Sequence, residues 1–165
     1  MHPQISWQGR LENICIAEQA SADMQELAEA RLIEGVGIEG DRYATGKGYY
    51  SSKPHADRQL TLIEIETLEG LQRDHGLSLA PHESRRNLTT RGVPLNHLVG
   101  KYFRVGEVLL YGGRLNVPCE YLAKLLARPV FKPLLNRSGL NCRIIEGGML
   151  RRGDIIRPAE EVARG

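Results

Sequence analysis

Cys119 closes the run Arg114-Leu115-Asn116-Val117-Pro118-Cys119, where an extended segment gives way to a helix start marked by Pro118. A thiol in the first turn of a helix lies among unpaired N–H groups at the positive end of the helix dipole. That setting lowers its pKa and favours the thiolate, the form that ligates soft metals and attacks sulfur. Arg114 adds positive charge if the chain folds back on itself. The same cysteine also fits as a buried structural thiol, the common fate of free cysteines. Cys15 and Cys142 stand inside apolar strand patterns and are expected to be structural.

Arginines are the second candidate group. Arg85, Arg86 and Arg91 flank Asn87 around one strand, and Arg42 follows Gly40-Asp41. Guanidinium groups bind phosphate or carboxylate bidentately, and N–H groups of glycine-rich turns add further anion contacts. Together they suit a phosphorylated small ligand; solvated surface charge is the plainer alternative. The five histidines show no HxH or HExxH spacing, so a histidine-based zinc site is not expected. No CxxC pair, GxSxG elbow or GxxxxGK[ST] loop is present.

The elements that must hold these groups are mostly short strands. Apolar and β-branched runs predict strands at 10–16, 31–34, 59–63, 85–91, 101–105, 107–111 with an extension to 117, 140–146 and 153–157. Residues 21–29 read as a helical turn, and 35–42 and 147–148 as glycine-marked turns. Ile65, Leu68 and Leu71 recur at helical spacing and predict a helix that stops near His75-Gly76. A second helix runs from Pro118 through Leu126, closed by Pro129 and Pro133. Residues 44–57 carry no apolar periodicity and read as a long loop. Seven or eight strands and two helices favour a mainly β protein, a barrel or folded-over sheet. A Rossmann-type reading of Gly35 to Gly40 is weak, since no βαβ alternation accompanies it.

Composition narrows the class. The chain has 165 residues, 41% hydrophobic and 25% charged, which fits one globular domain with a core at about 9–157. The 18 glycines, against a usual share of ~7%, indicate many turns. Twenty-two basic and 20 acidic residues give a net charge of +2, too balanced to point to nucleic acid or a membrane surface. No signal-peptide pattern and no apolar run of ~18 residues is seen, so the expected setting is the cytoplasm, with reduced thiols and without a membrane partner.

Several segments, in order, resemble those of the MOSC domain, named for the C-terminal domain of molybdenum cofactor sulfurase. Gly35-Val36-Gly37-Ile38-Glu39-Gly40-Asp41-Arg42 resembles its GxGxxGDR segment. Arg86-Asn87-Leu88-Thr89-Thr90-Arg91 resembles its RRN strand, and Leu95 to Gly106 its LN-LVG-F-VG segment. Pro118-Cys119 falls at the family's cysteine, and Gly147-Gly148 with Gly153-Asp154 resembles its closing GG…GD. The resemblance implies a MOSC-type β-barrel and binding of the molybdenum cofactor, a molybdopterin. Cys119 would be the catalytic thiolate, as molybdenum ligand or sulfur carrier. Arg86, Asn87 and Arg114 would contact the pterin or its phosphate, and Gly40, Asp41 and Arg42 would shape the pocket wall. The chain is too short to include the pyridoxal-phosphate desulfurase domain of the sulfurases, so a cysteine desulfurase or redox partner would be a separate protein. It also lacks the HGG segment that stand-alone bacterial members tied to detoxification of N-hydroxylated bases carry, having Lys53-Pro54-His55-Ala56-Asp57 there. Alternatives from other classes are a persulfide transfer component and a noncatalytic anion-binding module.

Overall fold

A computed structural model of the chain describes residues 6–46, 56–117 and 120–159. Among them are eleven strands: β1 (Gly9–Ile16), β2 (Gln25–Leu27), β3 (Glu29–Ile33), β4 (Gly37–Ile38), β5 (Leu60–Glu64), β6 (Leu88–Arg91), β7 (Tyr102–Val105), β8 (Val108–Leu115), β9 (Leu140–Glu146), β10 (Gly148–Arg151) and β11 (Ile155–Pro158). Three short helices accompany them: α1 (Arg42–Thr45), α2 (Ile65–His75) and α3 (Glu120–Leu126).

Seven strands close a barrel in the order β1-β6-β5-β9-β8-β7-β11, with β11 returning to pair with β1 through Gly9↔Ile156. Closure leaves these strands no free edge. β5 and β6 run parallel, a pairing that needs a crossover, and α2 supplies it. Every barrel strand was legible in the sequence. The three strands that were not, β2, β4 and β10, lie outside the barrel. β2 extends β1, and β10, β3 and β4 form a separate small sheet. The segment read as a helical turn at 21–29 therefore holds β2 and the start of β3, the first glycine-marked turn contains β4, and the second runs into β10 at Gly148.

Strand alternation sorts the residues into two cores. Leu60, Leu62, Leu88, Phe103, Leu110, Leu140 and Cys142 are buried together inside the barrel. Ile63 faces the other way and joins Leu68 and Leu71 of α2, Leu122 of α3, and Val130 and Leu134 in a second cluster on the outer face. The helices thus cover one side of the barrel, and the candidate residues lie under and beside that cover.

Candidate functional site

The segment leading into β6 directs two consecutive arginines apart. A 3-10 turn at Pro81–Ser84 ends at Arg85, whose φ of +63° is in the left-handed region. Arg85 is buried, and its guanidinium donates to the Ala22 carbonyl oxygen. Arg86 points instead to the outer face. Its Nε donates to the Ser138 carbonyl at 3.0 Å, and Nη2 donates to Asn116 Oδ1 at 2.6 Å and Ser138 Oγ at 3.0 Å. Asn116 is the hub of this network: Oδ1 also accepts from Ser138 Oγ at 3.1 Å, while Nδ2 donates to Asn141 Oδ1 at 2.9 Å. Gly139 holds Ser138 in place. Its φ is +109°, and a Cβ there would overlap the Leu62 carbonyl of β5.

Arg114 reaches the same face through a bulge. In β8, Gly112 pairs with Cys142 and Arg114 with Asn141, so Gly113 is an inserted residue. Were Gly113 paired in regular register with Asn141, Arg114 would fall opposite Leu140 and point into the barrel, because a one-residue slip reverses a side chain's face. Gly113 must be small, since a Cβ would collide with the Asp57 carboxylate, which Arg143 holds at 2.6 Å. Arg114 is half-buried, and its guanidinium meets no acceptor among the described residues. A polar row consequently runs from Asn87, the residue before β6, across three strands through Thr61, Asn141 and Arg114.

The remaining expected contacts are spent on internal partners. Asn87 is fully buried. Its Oδ1 accepts from Thr61 N and Oγ at 3.1 Å each, and its Nδ2 donates to the Cys15 carbonyl at 3.2 Å. It ties β1 and β5 to the start of β6. Asp41 is the N-cap of α1. Its carboxylate accepts from Ala17 N at 3.1 Å and Tyr43 N at 3.2 Å, and pairs with Arg42 at 3.0 Å. Arg42 also donates to the Arg85 carbonyl at 3.1 Å, and both members of the pair are buried. Gly40 is an exposed turn residue immediately before them. The arginine cluster expected around Asn87 is therefore dispersed: Arg91 pairs with Glu12 at 2.8 Å and Glu69 at 3.3 Å, Arg85 turns to Ala22, and Arg42 is neutralised by Asp41. The adjacent Asp41 neutralises Arg42, carboxylates distant in sequence hold Arg91, and a backbone carbonyl holds Arg85. Arg86 and Arg114 are brought to one region.

Residues 40–157 match the family model of the MOSC domain. The chain belongs to the MOSC domain family. Solved structures share its fold at low identity. The YuaD protein of Bacillus subtilis is 18% identical, covers 93% of this chain and 100% of its own, and gives a TM-score of 0.77. YiiM of Geobacillus stearothermophilus is 14% identical with a TM-score of 0.72, covering 94% of this chain and 77% of its own. YiiM of Escherichia coli is 19% identical with a TM-score of 0.66, covering 96% and 72%. No curated protein sequence matches. In this MOSC protein, Pro118 and Cys119 lie outside the described residues, as does His55. The chain on both sides of Cys119 is described: Asn116 of the polar network precedes it by three residues, and α3 begins at the next residue.

The other two thiols are placed. Cys15 and Cys142 are both sealed in cores. Burial, with Glu26 nearby, pushes the Cys15 thiol up to about 12. Burial, with Asp57 nearby, pushes Cys142 well above the usual thiol range. Neither forms thiolate near neutral pH. Among the described residues, no group of three or more His, Cys, Asp or Glu side chains is arranged to hold a metal ion, and no helix is long and apolar enough to cross a membrane.

Sequence reading missed Asn116, Ser138 and Asn141. Neutral polar residues carry no motif. The available signal was spacing: Arg114 and Asn116 are two apart on an extended segment, so they share a face.

Proposed function

We propose that this MOSC protein binds the molybdenum cofactor beside the junction of β8 and α3, with the Cys119 thiolate as molybdenum ligand or sulfur carrier, in molybdenum-enzyme or cofactor metabolism. One observation carries the reading: Arg86 and Arg114 stand on the same outer face as Asn116, on the chain that runs into Cys119. Four of the acceptors that hold Arg86 are neutral: Ser138 O and Oγ, Ser84 O and Asn116 Oδ1.

The residues present fit such a group. A donor-only array of guanidinium and amide N–H suits the terminal phosphate of a pterin cofactor, and a thiolate suits molybdenum as a soft donor. Arg114 and Arg86 would hold the phosphate, and Cys119 would meet the metal. When bound, the cofactor supplies the redox and sulfur-ligand chemistry. Asn87 acts here as a positioning residue that locks β6, and the Asp41–Arg42 pair holds the wall beside β1. Cysteine desulfurase or a redox partner in the cytoplasm would load sulfur or exchange electrons with the protein.

The test is Cys119→Ser, followed by elemental analysis and thiol mass spectrometry on protein from the native host. Loss of molybdenum retention or of persulfide loading, with an unchanged unfolding midpoint, is expected. Full molybdenum content in this variant would overturn the reading. Persulfide on Cys119 after incubation with a desulfurase, without metal, would favour the sulfur-transfer alternative. A noncatalytic anion-binding module would keep its ligand in Cys119→Ala.

A further inference from the structure

Charge is unevenly distributed along the chain. Residues 11–41 hold eight carboxylates and a single cation, Arg31, whereas residues 121–145 hold five cations and no carboxylate. Each stretch also exposes large apolar side chains. In the basic stretch, Val130 and Leu134 anchor the chain in the cluster shared with α2 and α3, and Leu134 N donates to the Val130 carbonyl at 3.1 Å. Phe131 and Leu135 follow them at the same one-turn spacing, so they share a face, and they are 36% and 46% exposed. Lys132 stands next to Phe131, exposed, and its ammonium has no partner among the described residues. Glu83, which packs against this stretch, is already engaged by Arg128 at 2.6 Å.

The acidic stretch carries a tight hairpin. β3 and β4 pair through Ile33↔Gly37, and Val36 N donates to the Ile33 carbonyl at 3.0 Å to close the turn. Gly35 lies at the tip with a φ of +71° and open space where a Cβ would stand. Ile33 is 38% exposed and Val36 42%. Glu34 lies between them, exposed and without a partner among the described residues. The cations of the small sheet are engaged elsewhere: Arg31 with Glu39 at 3.6 Å and Arg151 with Glu29 at 3.2 Å. β10 backs the hairpin through Gly148↔Leu32, and Gly35 N donates to the Ile144 carbonyl at 3.1 Å. The tip is therefore ordered before any partner arrives, which lowers the entropic cost of docking.

We propose that this hairpin tip docks on the Phe131–Leu135 face of a second copy of the chain, with Glu34 meeting Lys132. The two surfaces are complementary in kind. Two aliphatic side chains around a free carboxylate meet an aromatic and an aliphatic side chain beside a free ammonium. Apolar contact supplies the affinity, and the opposite charges set the register and exclude a like-charged surface. Tip and face lie on different elements, so the contact is heterologous: each copy offers its tip and receives another's. The face belongs to the segment between Cys119 and Ser138, so docking falls on chain that joins two parts of the candidate site. The association itself requires neither Cys119 nor a cofactor.

The experiment is analytical ultracentrifugation of the full chain from low to high micromolar concentration, at low and at high salt. The wild type should associate as concentration rises, and salt should weaken the association because the charge pair is near solvent. Lys132→Glu and Glu34→Lys should each weaken it roughly tenfold or more, since like charges then face each other. Both positions are exposed, so the variants fold. Mixing the two variants restores opposite charges across the contact, and the mixture should associate as the wild type does. A wild type that stays monomeric at high micromolar concentration and low salt overturns the proposal. So does wild-type association retained by both charge variants, or a variant mixture that stays monomeric. A monomeric wild type that sediments with phosphatidylserine vesicles would give the Phe131–Leu135 face to a membrane and equally overturn it. Cys119→Ser should associate as the wild type does, so the molybdenum content of that variant judges the cysteine separately.

Discussion

Two arginines of this protein, Arg42 and Arg114, show opposite uses of one side chain. Arg42 lies in the segment expected to shape the pocket wall, and the fold gives it a carboxylate partner at 3.0 Å, a carbonyl at 3.1 Å and burial. Its charge is consumed within the protein. Arg114 lies in a strand with no recognisable motif, and a bulge at Gly113 turns it to the outer face, where no carboxylate pairs with it among the described residues. A guanidinium is structural when an anion of the same chain meets it under cover. It is available when the acceptors near it are neutral or absent.

That contrast breaks most sharply at Asp41. Asp41→Ala removes the helix cap and leaves Arg42 as an unpaired buried charge, so unfolding in denaturant should show a loss of about 3–5 kcal/mol. Arg114→Gln should change stability by no more than about 0.5 kcal/mol, as for other side chains without partners. Equal losses would erase the distinction. Next in size is Gly139→Ala, which forces a Cβ into the Leu62 carbonyl at a φ of +109°. A loss of roughly 1–3 kcal/mol is expected in denaturant unfolding.

The buried thiols give a pH test. The Cys15 thiol is raised from 9.0 to about 12 in the folded protein, and Cys142 is raised as well. Above pH 9 the unfolded chain releases protons that the folded chain keeps. Stability is therefore unaffected by these groups below pH 9 and falls as pH rises toward 12, by up to about 1.4 kcal/mol per pH unit for each thiol. Denaturant titrations across pH 8–11 check the slope, and iodoacetamide should leave Cys15 and Cys142 unmodified in folded protein at pH 8. The smallest effect belongs to an exposed pair, Arg31 with Glu39 at 3.6 Å. Arg31→Gln should shift stability by less than about 0.5 kcal/mol, within the usual range for surface pairs.

The sequence carried the barrel. All seven of its strands were marked by apolar runs between turn residues, and α2 by Ile65, Leu68 and Leu71 ending at Gly76. These signals are local, because burial imposes a period on each element wherever its neighbours lie. β2 and β4 escaped notice because two or three residues make no period, and the glycines at 37 and 148 read as turns, which hid β4 and β10.

The composition of the candidate site was partly legible: Arg86 and Arg114 were named from residue type, and the order of the motifs pointed to the MOSC family, which the match over 40–157 bears out. Which arginines keep their charge was not legible. That depends on carboxylates distant in sequence, Glu12 and Glu69 for Arg91, and on an inserted residue that reverses one side chain. Asn116, Ser138 and Asn141 meet only when β8 and β9 pair and the 138–139 segment is pressed against β5. Residue types and short-range periodicity fixed the strands. Only strand register and the direction of donors decided which polar groups meet, since hydrogen bonds between distant segments leave no trace in linear order.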